Sequence, residues 1–300
     1  MDKRNVYYAF FLLVFIAVAK MDARTDDKQA GDGSETCLAC HEAGGNFVRN
    51  HEMWKSSGHS KSLTLIIENS QATPDCYGCH SDEGFKAKLQ GKKVDVALKQ
   101  SFHAITCPTC HIFPHDSKYP GELVADPETL CSSCHTQRAV LQGKGARGID
   151  DTRSFHSAVD CISCHMSETN HLMKVIRPDD PAVSDTRLDT CTTCHKDNNR
   201  KARVVQLQDW QSTYKDEMEP LQADLNAISA ALKLNPNLLD AQMKQKLDDV
   251  RFNLSILTRD KSRGAHNVDF TAEILSNASK DLRAIKSAAG VVTAQPKSEQ

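Results

Sequence analysis

Cys37-Leu38-Ala39-Cys40-His41, Cys76-Tyr77-Gly78-Cys79-His80, Cys107-Pro108-Thr109-Cys110-His111, Cys131-Ser132-Ser133-Cys134-His135, Cys161-Ile162-Ser163-Cys164-His165 and Cys191-Thr192-Thr193-Cys194-His195 are six copies of one phrase, C-x-x-C-H. They use all 12 cysteines of the 300-residue chain. C-x-x-C-H is the attachment signature of c-type haem. Its two thiols add across the two vinyl groups of one porphyrin, and the two-residue spacer sets their separation. The histidine that follows sits under the ring, where a neutral imidazole can bind iron. A zinc site, a redox dithiol or a disulfide would explain a pair of cysteines. None explains a histidine after every second cysteine, six times over. Six covalent haem c groups are therefore expected, with His41, His80, His111, His135, His165 and His195 as the proximal iron ligands.

Working outward, residues 37–195 hold all six motifs, too little chain per motif for separate hydrophobic cores. Aromatic residues make up only 6% of the sequence, so the porphyrins themselves are expected to fill the interior. The fold class is accordingly mainly α: a haem-cored region with little strand (37–203), then long antiparallel helices (204–290) and a disordered tail (291–300). The formal net charge of -2 points to neither a nucleic-acid partner nor a polybasic membrane patch.

The amino end reads as an export signal over 1–19. Lys3 and Arg4 precede an apolar run from Val6 to Ala19, which closes on Ala17-Val18-Ala19, an A-x-A cleavage site. That run is too short to span a bilayer comfortably. Residues 20–36, polar and rich in Asp and Gly, read as a flexible leader. The protein is thus expected outside the cytoplasm, in the periplasm, membrane-associated or beyond the cell.

A six-coordinate haem needs a second axial ligand, and seven histidines stand outside the motifs: His51, His59, His103, His115, His156, His171 and His266. Six irons need six of them. Ligation of every iron by two histidines is therefore expected, methionine being a weaker competitor through Met53, Met166 or Met173. Two segments also repeat one another. Ser101-Phe102-His103 precedes the motif at Cys107, with His115 and the motif at Cys131 following. Ser154-Phe155-His156 precedes the motif at Cys161, with His171 and the motif at Cys191 following. The order suggests a duplicated two-haem module. Gly143, Gly145 and Gly148 lack the Lys-Ser/Thr of a phosphate loop and read as a flexible surface connection between the modules.

Beyond Val204 the apolar residues recur at helical spacing. Leu207, Trp210, Tyr214, Met218, Leu221, Leu225, Ile228 and Leu232 mark a first long helix. Asn235-Pro236 breaks it and is expected to start a second with Pro236 at its first position. Arg263-Gly264 ends the second, and a third runs from about Val268 to Lys286. These helices also offer a surface for a homodimer. His266, in the last turn, is placed to reach back over a haem.

The run from Phe155-His156 through Cys161–His165, His171, Cys191–His195, the long helices and Gly264-Ala265-His266-Asn267 resembles the last two haems and helical tail of pentahaem cytochrome c nitrite reductase. The wider group includes octahaem reductases and hydroxylamine oxidoreductase. The resemblance implies that His156 ligates the haem at Cys191–His195, that His266 ligates the haem at Cys161–His165, and that His171 serves an earlier haem. His59, His103 and His115 are left for the other sites, with His51 set aside as the alternative. The C-x-x-C-K motif of that family's catalytic haem is missing from this sequence, so no catalytic residue carries over.

Electron transfer between redox partners, such as a quinol-oxidising membrane cytochrome and a terminal reductase, is the favoured expectation. A multihaem reductase of nitrite, hydroxylamine or a sulfur oxyanion, with one open haem, is the alternative. A haem subunit of a membrane complex or a filament is a third.

Overall fold

The computed structural model describes residues 33–41, 46–184, 186–196 and 199–291. The signal and nearly all of the leader and tail lie outside the described residues. Among those residues the chain is helical, its single β contact being an isolated bridge between His111 and Leu123.

The haem-motif region is a string of short helices: α1 (Glu35–His41), α2 (Asn46–Lys55), α3 (Pro74–His80), α4 (Asp82–Leu89), α5 (Cys107–Cys110), α6 (Pro127–Ser132), α7 (Gln137–Leu141), α8 (Cys161–His165) and α9 (Thr190–Cys194). Each C-x-x-C-H falls on or at the end of one of them. The reason is geometric: residues i, i+3 and i+4 share one face of a helical turn, so both thiols and the imidazole meet one porphyrin. Local chemistry starts these turns. Thr73 precedes Pro74 in α3, the Asp126 carboxylate accepts from the Glu128 amide ahead of Cys131, and Asp189 accepts from the Thr192 amide around Cys191.

Three long helices follow: α10 (Arg200–Leu234), α11 (Ala241–Asp260) and α12 (Val268–Ala289). α12 packs against both of the others. Lys286 near its end pairs with Asp224 of α10, while Gln211 of α10 donates to the Ser262 carbonyl just before α12 begins. α10 and α12 therefore run in the same direction. Lys246 near the start of α11 pairs with Asp281 near the end of α12, so α11 runs opposite to both.

The two halves bury apolar surface very differently. Nine of the buried apolar residues precede Arg200, scattered from Trp54 to Val183, and fifteen follow it. In the bundle, Ile228, Phe270, Ile274, Leu282 and Ile285 are completely buried in one continuous cluster. The haem-motif region has only a small cluster of Leu63, Ile66 and Tyr77. A chain with so little side-chain core needs another filling, and porphyrin supplies it. The apolar stripes of the three long helices are largely buried inside the bundle.

Two sequence expectations are corrected. Pro236 does not begin α11: residues 235–240 form turns, and Asp240 caps the helix by accepting from the Met243 amide. A carboxylate at the helix start outcompetes an upstream proline because it satisfies an otherwise orphaned N–H. The segment with Gly143, Gly145 and Gly148 is no loose connection. Asn253 accepts from the Arg147 amide and donates to the Arg147 carbonyl, and Asn267 donates to the carbonyls of Val140 and Thr152. Gly143 has φ +64°, and a Cβ there would fall 1.8 Å from the Thr152 carbonyl oxygen. The glycine serves close approach.

Candidate haem-binding sites

The motif histidines meet partners from distant segments. His41 lies 5.9 Å from His115 between ring centres, His135 5.9 Å from His59, and His111 6.2 Å from His171. His195 lies 6.0 Å from His156 and His165 6.1 Å from His266. An imidazole nitrogen sits about 2.0 Å from a bound metal and roughly 1 Å from its ring centre, so one metal between two imidazoles needs about 6 Å. Spacing alone does not decide the matter, since Phe113 is also 5.9 Å from His115. The pairing rule does: each of the five couples joins one motif histidine to one histidine outside the motifs.

Hydrogen bonds turn the rings for this task. The Nδ1 of His111 donates to the Gly121 carbonyl at 2.7 Å, that of His165 to Met173 at 3.2 Å, and that of His171 to Thr169 at 2.8 Å. A carbonyl oxygen can only accept, so Nδ1 carries the proton and Nε2 keeps the lone pair that a metal needs. His266 is held differently. Its Nδ1 lies 2.6 Å from Oδ1 of Asp260, a carboxylate whose side chain is 2% exposed and which also accepts from Ser262. Lys261 and Arg263 adopt left-handed conformations beside Gly264 at φ +90°, and Asn267 caps α12. This turn exists to aim one imidazole at His165.

Burial keeps the rings neutral. It pushes His59 down to about 4, with His135 adding to the effect. Burial likewise lowers His111, His135, His156 and His165. Neutral imidazole is the ligating form.

Two of the predicted histidines are not brought opposite a motif histidine. His51 stacks on Trp54 at 5.6 Å, with its Nε2 3.3 Å from the Ser34 hydroxyl. His103, expected to be a distal ligand, is clasped by α4. Its Nδ1 lies 2.5 Å from Oε1 of Glu83, its amide donates to the same carboxylate, and its carbonyl accepts from the Asp82 amide. His80 donates from Nδ1 to the Ser62 carbonyl at 2.9 Å, and among the described residues no ring contact involves it. Spacing within the chain gave no sign that Glu83 would hold His103. Its only sequence signal is a carboxylate just after a C-x-x-C-H motif.

The motifs also lie near one another at their cysteines. Cys37 is close enough to Cys107, Cys131 to Cys161, and Cys134 to Cys79 for each thiol to perturb the ionisation of its neighbour. Cys110 interacts with Cys131 and Cys134, and Cys164 with Cys194. The first, third, fourth, fifth and sixth motifs thus form a line. The second motif, Cys76–His80, joins it from the side at the fourth. Among the described residues no cluster of three or more His, Cys, Asp or Glu could hold a metal ion. A zinc centre needs at least three such donors. An iron whose other four donors come from porphyrin needs only the imidazole pairs described.

Comparison with known proteins points to multihaem c-type cytochromes. A family model described as a doubled CXXCH motif matches residues 101–140, which contain the third and fourth motifs. Among solved structures, the chain is similar to the outer cell wall cytochrome OcwA, with 26% identity and a TM-score of 0.66 over 78% of this chain and 50% of that one. It also shares its fold with an undecahaem cytochrome from the S-layer of Carboxydothermus ferrireducens, at 23% identity and a TM-score of 0.58 over 84% of this chain and 45% of the other. The chain spans about half the length of each of these structures. No curated protein matches its sequence.

Proposed function

Because the chain is a multihaem c-type cytochrome, we propose that it carries six haems, ligates most of them through two histidines, and works as an exported electron conduit. The one-to-one pairing of five motif histidines with His59, His115, His156, His171 and His266 carries this reading. Two imidazoles saturate an iron, so such a haem exchanges electrons without binding substrate. The chain's own work is to hold the rings neutral and aimed, to exclude water around them, and to set potentials through hydrogen bonds such as Asp260 to His266.

Proximity of the cysteines along the line of the first, third, fourth, fifth and sixth motifs supports a continuous path from the haem at Cys37–His41 to the haem at Cys191–His195. The two ends of that line are where redox partners dock. Location beyond the cytoplasmic membrane follows from covalent haem and from the Lys3-to-Ala19 segment. Similarity to an outer cell wall cytochrome and to an S-layer cytochrome favours a place at the cell surface, with a membrane cytochrome as electron donor and an extracellular acceptor. No helix among the described residues is long and apolar enough to cross a membrane.

The test is a haem count on the intact, denatured protein by mass spectrometry, joined to stopped-flow reduction by a small donor. Six covalent haems reduced in rapid succession are expected. Fewer than six, with free thiols reacting with alkylating reagent, would contradict the reading.

A further inference from the structure

Gly84 and Lys88 stand four residues apart on one face of α4, and that face lies on the second motif. Gly84 makes the approach possible: a Cβ there would fall 2.2 Å from the Tyr77 carbonyl oxygen. The Ser81 hydroxyl fixes the start of the helix, accepting from the Gly84 amide while donating to that same carbonyl. One turn on, the Lys88 stem passes over Gly78, where an added Cβ would meet its Cδ at 3.4 Å. The ammonium then reaches the Ser133 carbonyl at 2.5 Å and stands 3.7 Å from the Cys79 sulfur. Across the same gap the Cys134 sulfur lies 3.8 Å from the Gly78 carbonyl. One side chain thus bridges the second motif and the fourth, where the branch meets the line.

We propose that Lys88 raises the potential of the haem at Cys76–His80, and so draws an electron from the fourth haem onto the side branch. This rests on the hexahaem conduit proposed above. The step is a one-electron exchange. The ferrous haem at Cys131–His135 becomes ferric and the ferric haem at Cys76–His80 becomes ferrous, with no bond made and no proton moved.

The charges on α4 single out Lys88. Asp82 is paired with Lys86 at 2.6 Å, and Glu83 is engaged with His103 at 2.5 Å. Among the described residues no carboxylate pairs with Lys88. Its charge therefore faces the sulfur through which Cys79 bonds the porphyrin. Ferric haem carries one more positive charge than ferrous haem, so a fixed cation beside the ring disfavours the ferric state. The Lys88 side chain is exposed, and salt screens its effect. The ammonium also acts on Cys134 across the gap, which makes the fourth haem the rival for its influence. The sulfur it approaches within 3.7 Å is nevertheless that of Cys79.

Spectroelectrochemical titration of the full-length holoprotein tests this, in the parent chain and in Lys88→Met, Lys88→Arg and His59→Met. Lys88→Met keeps the stem over Gly78 and removes the charge. One of the six one-electron components should then favour ferric iron about threefold to tenfold more, tenfold being about 59 mV. Lys88→Arg keeps the charge and should leave that component near its parent value. The Lys88→Met shift should also shrink by more than about half between roughly 0.01 M and roughly 1 M salt, which the loss of a purely structural contact would not do. His59→Met marks the component of the fourth haem, through the pairing of His59 with His135. The proposal is overturned if Lys88→Met shifts no component, if Lys88→Arg shifts it equally, or if the shift ignores salt. It is overturned as well if the component that moves is the one His59→Met marks. Fewer than six components, with fewer than six haems by mass, would instead strike the hexahaem reading.

Discussion

Residues 101–135 and 154–195 carry the same order of histidines and motifs, yet they use their first histidine differently. In both, the histidine after the first C-x-x-C-H reaches two motifs back: His115 faces His41 and His171 faces His111. In the second module the leading histidine, His156, faces His195 of its own second motif. The first module's counterpart, His103, does not face His135; His59 does. The cause is visible in the flanking residues. Phe102 packs edge-on against Tyr77 at 5.6 Å, and Glu83 holds His103, so the leading segment is docked on α3 and α4. In the second module Phe155 is 99% exposed on the polypeptide, and the His156 amide bonds only to its neighbour Ser154. A repeat in sequence therefore fixes which residues are available, while the neighbouring motif decides which motif histidine they face.

The contrast can be broken most sharply at the two leading histidines. His156→Ala should convert the haem at Cys191–His195 to high-spin, adding one high-spin haem per chain, whereas His103→Ala should add none. Electron paramagnetic resonance of the two oxidised variants reads the difference directly. Next in size is the connection between the modules. Gly143→Ala combines a left-handed φ with a clash against the Thr152 carbonyl, and should cost about 2–3 kcal/mol in denaturant unfolding. Glu83→Ala frees the first module's leading segment. Loss of two hydrogen bonds to a partly exposed carboxylate should cost about 1–2 kcal/mol, with the number of low-spin haems unchanged.

The smallest effect is electronic. Asp260→Asn weakens the hydrogen bond that makes His266 a better donor to ferric iron, so the potential of the haem at Cys161–His165 should rise. A shift of tens of millivolts is expected, since a tenfold change in preference for ferric iron corresponds to about 59 mV for one electron. Spectroelectrochemical titration measures it, and the haem at Cys191–His195 should not move with it.

Much of the site was legible in the chain because attachment is local. The spacing of Cys161, Cys164 and His165 is a helical turn, and a turn can be read from five residues. The long helices were legible for the same reason, through the period of residues such as Leu247, Val250, Leu254 and Leu257. Second ligands are not local. His59 reaches His135 and His115 reaches His41 across intervening motifs, and nothing in their immediate neighbours distinguishes them from His103. What separates them is where the fold sets each ring: α4, folded against residues 103–105, holds His103 beside Gly33 and not across from a motif histidine. The glycine-rich connection misled for a related reason: left-handed glycines serve loose loops and tight docking alike, and the docking partners, Asn253 and Asn267, lie on distant helices.

The pairing of imidazoles across five irons is tested most directly by quantitative electron paramagnetic resonance of the fully oxidised protein, normalised to its haem content. At least five low-spin haems in every six, with g-values of two-histidine ligation, are expected. Two or more high-spin haems per chain would contradict the pairing of His59, His115, His156, His171 and His266 with the motif histidines.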